Sequence, residues 1–101
     1  MFKNGMRPIH PGEILREDYL TELGISANAL AKALGVTAAR INEILHAQRG
    51  VTPDTALRLA RFFDTTPEFW MNLQQAYDLK IAAQEHGQEI ERLVQPLALA
   101  V

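Results

Sequence analysis

The chain has 101 residues, of which 48% are hydrophobic and 22% are charged. This length and composition predict one globular domain over residues 1–101 and exclude a disordered chain. The absence of cysteine excludes disulfides, cysteine-ligated zinc and cysteine catalysis, and it indicates a reducing, cytoplasmic location. The N-terminus lacks the apolar run of a signal peptide, and no run of about 18 apolar residues exists, so we expect no export and no membrane.

The net charge of −2 is unevenly distributed along the chain. Residues 24–61 contain five basic and two acidic residues, a net charge of +3. Residues 62–101 contain two basic and six acidic residues, a net charge of −4. A basic region followed by an acidic one is compatible with nucleic-acid binding, but chance alone gives such unevenness as readily.

The first half of the chain predicts three short helices, over about residues 11–22, 27–34 and 38–45. Ser26 and Thr37 are typical N-caps, because a hydroxyl oxygen can accept from the free N–H groups of the first helical turn. Gly24 and Gly35 can adopt the left-handed conformation that ends a helix. A polar loop over residues 46–51 follows the third helix.

The second half predicts two longer helices, each opened by threonine followed by proline. Thr52–Pro53 starts a fourth helix that ends near Phe63, and Thr66–Pro67 starts a fifth that reaches about residue 84 or 85. We expect His86–Gly87 to interrupt the fifth helix before a shorter one over residues 88–95. The predicted fold is therefore all-α, a compact bundle of about five to six helices.

Residues 26–46 carry the spacing of a helix-turn-helix. Gly35 allows the tight turn, Ala31 lies where a larger side chain would push the two helices apart, and Ile41 and Ile44 are spaced to fill the wedge between them. The alternative is an ordinary corner between two helices of a small bundle. If the motif binds DNA, the third helix enters the major groove with its N-terminal half toward the base edges.

Ten residues are then candidates for DNA contacts. Arg40 can bond bidentately to guanine, or it can contact phosphate alone. Glu43 can accept from cytosine N4, or it can repel phosphate in wrong registers. Ser26 and Thr37 can contact phosphate, or they can simply cap their helices. The complete predicted set is Ser26, Asn28, Thr37, Ala38, Ala39, Arg40, Asn42, Glu43, Gln48 and Arg49.

Three blocks give the chain a family resemblance: RPIHPGEIL at residues 7–15, ALAKALGVTAARINEIL at residues 29–45 and TPEFWMNLQQAYDL at residues 66–79. Together they resemble the HigA-type antitoxins of the Xre/Cro-like helix-turn-helix class, which are lambda-repressor-like in fold. The resemblance spans about residues 7–80. It implies a homodimeric repressor that binds a palindromic operator in double-stranded DNA. It also implies a cognate HigB-type toxin, a RelE-like mRNA endonuclease that the antitoxin neutralises by binding.

The C-terminal region, residues 66–101, is the predicted dimerisation region. One helix-turn-helix makes too few contacts for specific binding, so a two-fold pair is expected. For Phe69, Trp70 and Leu73 the alternative is burial in the core of one chain. The predicted dimer residues are Trp70, Leu73, Tyr77, Ile81, Ile90, Leu93, Val94 and Leu97.

Toxin binding is expected on a preformed acidic surface, because only about six residues precede Arg7 and a disordered arm needs more. Acidic side chains would steer a basic RNA-cleaving partner. We favour the first helix, with Glu13, Glu17, Asp18 and Glu22, over the acidic segment 85–91. The alternative is that both acidic sets are merely solvated.

No enzyme or metal site is predicted. The single serine, Ser26, lies outside any nucleophile motif, and the three histidines have no carboxylate at a ligand spacing. We expect no cofactor and no catalytic residue. The remaining alternative to an antitoxin is a stand-alone Xre-family transcriptional repressor, and a small basic reading frame beside the gene would favour the antitoxin.

Overall fold

The computed structural model describes residues 7–98, and these form five helices without a β-strand. Helix α1 consists of an α-helical turn, Pro11–Ile14, a π-helical segment, Leu15–Leu20, and a last α-helical turn, Thr21–Leu23. The other helices are α2 (Ala27–Leu34), α3 (Ala38–Leu45), α4 (Pro53–Phe63) and α5 (Pro67–Leu93). The all-α prediction is confirmed. The expectations for the segment before Arg7 and for residues 99–101 lie outside the described residues.

A side chain caps the N-terminus of every helix. The predicted caps Ser26 and Thr37 accept from the backbone N–H groups of Ala29 and Arg40, both at 3.1 Å. Thr52 and Thr66 cap α4 and α5, and His10 caps α1 through Nδ1. These caps explain why the predicted bounds of α2, α3 and α4 agree with the structure.

Helix α1 differs from the prediction of a plain α-helix. Its middle, Leu15–Leu20, is π-helical, with one residue more per hydrogen-bonded turn than an α-helix. At the end of this segment the backbone N–H of Thr21 donates to the carbonyl of Arg16. The side-chain Oγ1 of Thr21 donates to the same carbonyl at 2.9 Å. The extra residue places Leu15 and Leu20 both in the core.

Helix α5 also differs from the prediction, because His86–Gly87 does not interrupt it. The helix runs without a break from Pro67 to Leu93. A single glycine in a helix interior costs only about 1 kcal/mol relative to alanine, and the good helix formers around it outweigh that cost. The predicted separate helix over residues 88–95 is therefore wrong.

The hydrophobic core lies among α1 to α4 and the first turn of α5. Ala31 is 3% exposed at the crossing of α2 and α3, as predicted. Trp70 is fully buried, and its indole N–H donates to Oγ1 of Thr65 at 2.9 Å. Trp70 was predicted to contact a second copy of the chain, but it fills the core of its own chain, so that assignment is corrected. The fully buried apolar side chains include Leu15, Leu30, Ile41, Ile44, Ala56, Leu59 and Trp70.

Two close approaches fix the position of α3 relative to the rest of the fold. A Cβ atom on Gly12 would lie 1.8 Å from the carbonyl oxygen of Ile44, so only glycine lets α1 pack against the end of α3. In the loop after α3, the backbone N–H of Val51 donates to Oε1 of Gln74 at 2.7 Å. This bond anchors the loop after α3 to α5.

The described part of the molecule is elongated, with extents of 58 × 24 × 21 Å. The reason is α5, whose 27 residues extend about 40 Å at 1.5 Å per residue, well past the other helices. From residue 88 to residue 98 every described side chain is exposed. We call residues 11–70 the body and residues 88–98 the distal segment.

Candidate nucleic-acid interface

Helix α3 is buried on one side and open on the other. Ile41 and Ile44 are 0% exposed, while Ala38, Ala39 and Asn42 are exposed. Gly35 has φ +71°, so the turn before α3 uses the left-handed conformation expected of it. The predicted motif is therefore present: a short helix, a tight glycine turn and a second short helix that presents its polar side to solvent.

All ten predicted DNA-binding residues lie on α2, on α3, at their N-caps or in the loop after α3. None of them is buried. Asn42 donates from Nδ2 to the carbonyl of Ala38 at 3.0 Å, so its amide lies along the helix surface. Glu43 accepts from Nε of Arg49 at 2.8 Å, which joins α3 to the loop that follows it.

Arg40 is not a freely moving side chain. Its Nη1 donates to Oδ2 of Asp54 at 3.1 Å, and Nε of Arg58 donates to the same oxygen at 2.9 Å. These bonds, first that of Arg58 and then that of Arg40, hold the pKa of the Asp54 carboxyl below its usual range. Sequence reasoning missed Asp54; the spacing of four residues between Asp54 and Arg58 was the available signal.

The loop after α3 is tied to α1 and α5. Ala47 adopts a left-handed conformation with φ +58°, and the N–H of Gln48 donates to the carbonyl of Glu43 at 2.8 Å. His10 packs edge-on against Tyr77 of α5, with ring centroids 4.8 Å apart. Burial lowers the pKa of His10, and the charge of Asp78 and the backbone of Arg49 offset this in part. No sequence signal pointed to Gln74, which anchors this loop.

The acidic residues predicted to bind a toxin lie along α1. Glu17, Asp18 and Glu22 are exposed, and Glu17 is 3.5 Å from Nη2 of Arg16. Glu13 is partly buried and forms an ion pair with Arg7 at 2.6 Å, which lowers the pKa of the Glu13 carboxyl. The exposed acids of the π-helical segment are therefore more available to a partner than Glu13.

Apart from Trp70, which is buried in its own chain, the residues predicted to form the dimer fall into two groups. Leu73, Tyr77 and Ile81 are partly buried; Leu73 packs against the core and Tyr77 against His10. The others are exposed apolar side chains of the distal segment: Ile90 at 41%, Leu93 at 64%, Val94 at 63% and Leu97 at 82%.

Within residues 7–98, no group of three or more histidine, aspartate or glutamate side chains could hold a metal ion. None of the described helices is both long enough and apolar enough to cross a membrane. An all-α body with an exposed second motif helix and an arginine on its first turn defines a helix-turn-helix DNA-binding protein.

Comparison with known proteins gives the family. The helix-turn-helix family model matches residues 15–70. Virulence-associated protein I of Dichelobacter nodosus is 61% identical over 83 residues, covering 82% of this chain and 77% of that protein. The structure of antitoxin GraA matches with a TM-score of 0.90 at 60% identity, covering 92% of this chain and all (100%) of GraA. A structure of Pseudomonas aeruginosa antitoxin HigA with the higBA promoter matches with a TM-score of 0.90 at 52% identity, covering 91% and 100%.

The chain belongs to the helix-turn-helix family, and within it to the HigA-type antitoxins of the Xre/Cro-like class. This confirms the resemblance drawn from the three sequence blocks. It also confirms the predicted fold class, and the prediction that the chain is a DNA-binding regulator and no enzyme.

Proposed function

We propose that the chain is the antitoxin of a type II toxin–antitoxin module, a homodimer that represses its own operon and neutralises a HigB-type mRNA endonuclease in the cytoplasm. The observation that carries the DNA half of this proposal is the exposed surface of α3, with Arg40 on its first turn and Arg49 in the loop that follows. The promoter complex of the P. aeruginosa relative supports it.

In this proposal, different residues contact the bases and the phosphates. In the proposed complex α3 lies in the major groove, and Arg40 bonds to a guanine while Ala38 and Ala39 allow close approach. Ser26, Asn28, Thr37, Gln48 and Arg49 contact phosphates, and Asn42 and Glu43 flank the base edges. These phosphate contacts fix the register without carrying sequence information.

The proposed dimer forms through α5. Two copies pack the exposed apolar side chains of Ile90, Leu93, Val94 and Leu97 together with Leu73, Tyr77 and Ile81. A two-fold pair places the two α3 helices about 34 Å apart, one turn of DNA, and so fits a palindromic operator. Removal of this apolar surface from water supplies the driving force.

The proposed toxin site is the acidic side of α1, with Glu17, Asp18 and Glu22 as its exposed members and Glu13 at its edge. A surface that is already folded loses little conformational entropy on binding. Acidic side chains also accelerate the encounter with a basic partner.

The DNA-binding half is tested with the duplex that lies upstream of the gene. We expect the chain to bind this duplex at least about 1,000-fold more tightly than a scrambled duplex at physiological salt, the low end of the usual specificity range. Equal binding to both duplexes would contradict the proposal.

The toxin-binding half is tested by co-expression with the adjacent reading frame and co-purification. Reversing Glu17 and Asp18 to lysine should slow association with the toxin and leave operator binding intact. The matched control reverses Glu85 and Glu89 on α5. If capture survives the first reversal and fails with the second, the toxin binds α5. If no adjacent protein co-purifies, the stand-alone repressor is the better description.

A further inference from the structure

Asp54 lies outside the ten residues predicted to contact DNA, but two arginines meet at its carboxylate. Oδ2 of Asp54 accepts from Nη1 of Arg40 at 3.1 Å and from Nε of Arg58 at 2.9 Å. Arg58 also donates from Nη1 to the carbonyl of Leu34 at 2.8 Å. A continuous series of bonds therefore runs from the end of α2, through α4, to the first turn of α3.

We propose that Asp54 is a specificity-determining residue of this surface, which positions the guanidinium of Arg40 for its base contact. The inference rests on the proposed DNA-binding function and adds a residue that the helix-turn-helix motif itself does not contain.

The reason is geometric. An arginine reads guanine with two parallel N–H groups, so the plane of its guanidinium must be set before specificity results. A guanidinium has five N–H donors, and the bond to Asp54 occupies one of those on Arg40. The remaining donors stay available to a base. Because Arg58 donates to the same oxygen of Asp54, the carboxylate has a partner that is independent of Arg40.

The negative charge of Asp54 has a second effect, on non-specific DNA binding. The carboxylate of Asp54 offsets one positive charge on a surface that faces phosphates in the proposed complex. An aspartate is ionised at neutral pH, and the bonds from Arg58 and Arg40 lower the pKa of Asp54 further. Without it, Arg40 and Arg58 would attract any duplex more strongly, because phosphate neutralisation is independent of sequence. Loss of Asp54 should thus raise non-specific binding while it lowers discrimination.

The chain contains a matched control. Thr52, Pro53 and Asp54 open α4 in the same way that Thr66, Pro67 and Glu68 open α5. Both acids lie in a first helical turn, where they interact favourably with the helix dipole. Among residues 7–98 Glu68 has no arginine, lysine or histidine within ion-pair distance. Glu68→Gln therefore removes the same helix-terminal charge without releasing an arginine.

The test measures dissociation constants for the operator and for a scrambled duplex at several salt concentrations. In Asp54→Asn we expect tighter binding to the scrambled duplex, a steeper salt dependence, and an operator-to-scrambled ratio lower by about five- to tenfold. Glu68→Gln should keep the parent ratio. A parent-like ratio in a folded Asp54→Asn variant overturns the proposal, as does an equal fall in Glu68→Gln.

Two further variants separate orientation from folding. In an Arg40→Ala background Asp54→Asn should leave the ratio unchanged, because the charge effect that remains through Arg58 strengthens binding to both duplexes alike and only the orienting effect passes through Arg40; a further fall of the ratio there overturns the proposal. If Asp54→Asn melts below the assay temperature, Asp54→Glu replaces it. That variant keeps the charge and moves the carboxylate by one methylene, and a parent-like ratio in it counts against the proposal. If the parent itself does not discriminate, the proposed function fails and this inference falls with it.

Discussion

The body and the distal segment differ in whether their apolar side chains are buried, although α5 runs from one to the other. The body buries a continuous apolar core and caps each helix, and polar contacts link α4 to the end of α2 and the loop after α3 to Gln74 of α5. The distal segment continues the same helix but exposes Ile90, Leu93 and Val94 to solvent. The body therefore has a core of its own and presents α3 at its surface, while the distal segment presents apolar side chains that, in our proposal, a second copy of the chain covers.

We expect the largest change in the free energy of unfolding from a substitution in the core of the body. Trp70→Ala removes a fully buried ring and its bond to Thr65, and should lower the free energy of unfolding by about 3–5 kcal/mol. Leu93→Ala is the matched change in the distal segment and should cost no more than about 0.5 kcal/mol in dilute protein. Urea unfolding checks both variants. Equal losses would mean that the two regions are not built differently.

The next prediction concerns the distal segment and its role in the proposed dimer. Replacing Leu93 and Leu97 by aspartate places two charges on the proposed dimer surface, where burial of unpaired charge is unfavourable. The variant should sediment as a monomer while its helical circular dichroism remains that of the parent. Leu57, which is 60% exposed on α4, offers the control, because Leu57→Asp should leave the dimer intact. A dimeric double variant would place the interface elsewhere.

The smallest effect concerns His10, which joins the body to α5. Burial keeps its folded pKa below the ordinary value of 6.5, so the unfolded chain takes up the proton first as the pH falls. Stability from this group should therefore be complete above pH 6.5 and should decline below it, until the folded pKa is passed.

His10→Asn keeps an acceptor for the N–H of Gly12 and removes the titration. Unfolding measured across this pH range should show a flatter dependence in the variant than in the parent. Identical slopes would mean that His10 does not report on this contact.

Most of the body could be predicted from sequence, because its helix ends depend on local chemistry. Ser26, Thr37 and the two threonine–proline pairs act within one helical turn, and their positions agree with the structure. Gly87 misled because a glycine weakens a helix without ending it.

What sequence could not supply were contacts between distant residues. The bond from Val51 to Gln74 joins positions 23 residues apart, and that from Arg58 to Leu34 joins positions 24 apart. The π-helical segment of α1 depends in the same way on packing, which places Leu15 and Leu20 in one core. The burial of Trp70 was one of two alternatives that spacing left open, and tertiary packing decides between them.

We propose that α3 and the loop after it form a DNA-reading surface in which Arg40 gives sequence specificity and Arg49 attracts the phosphates. The most direct measurement is binding of the operator and a scrambled duplex at several salt concentrations by the parent, Arg40→Ala and Arg49→Ala. Arg40→Ala should lose about 1–3 kcal/mol per half-site on the operator and relax preference at one base pair, whereas Arg49→Ala should weaken both duplexes alike and reduce the salt slope. If Arg40→Ala binds the operator as the parent does, α3 does not read DNA in the proposed register.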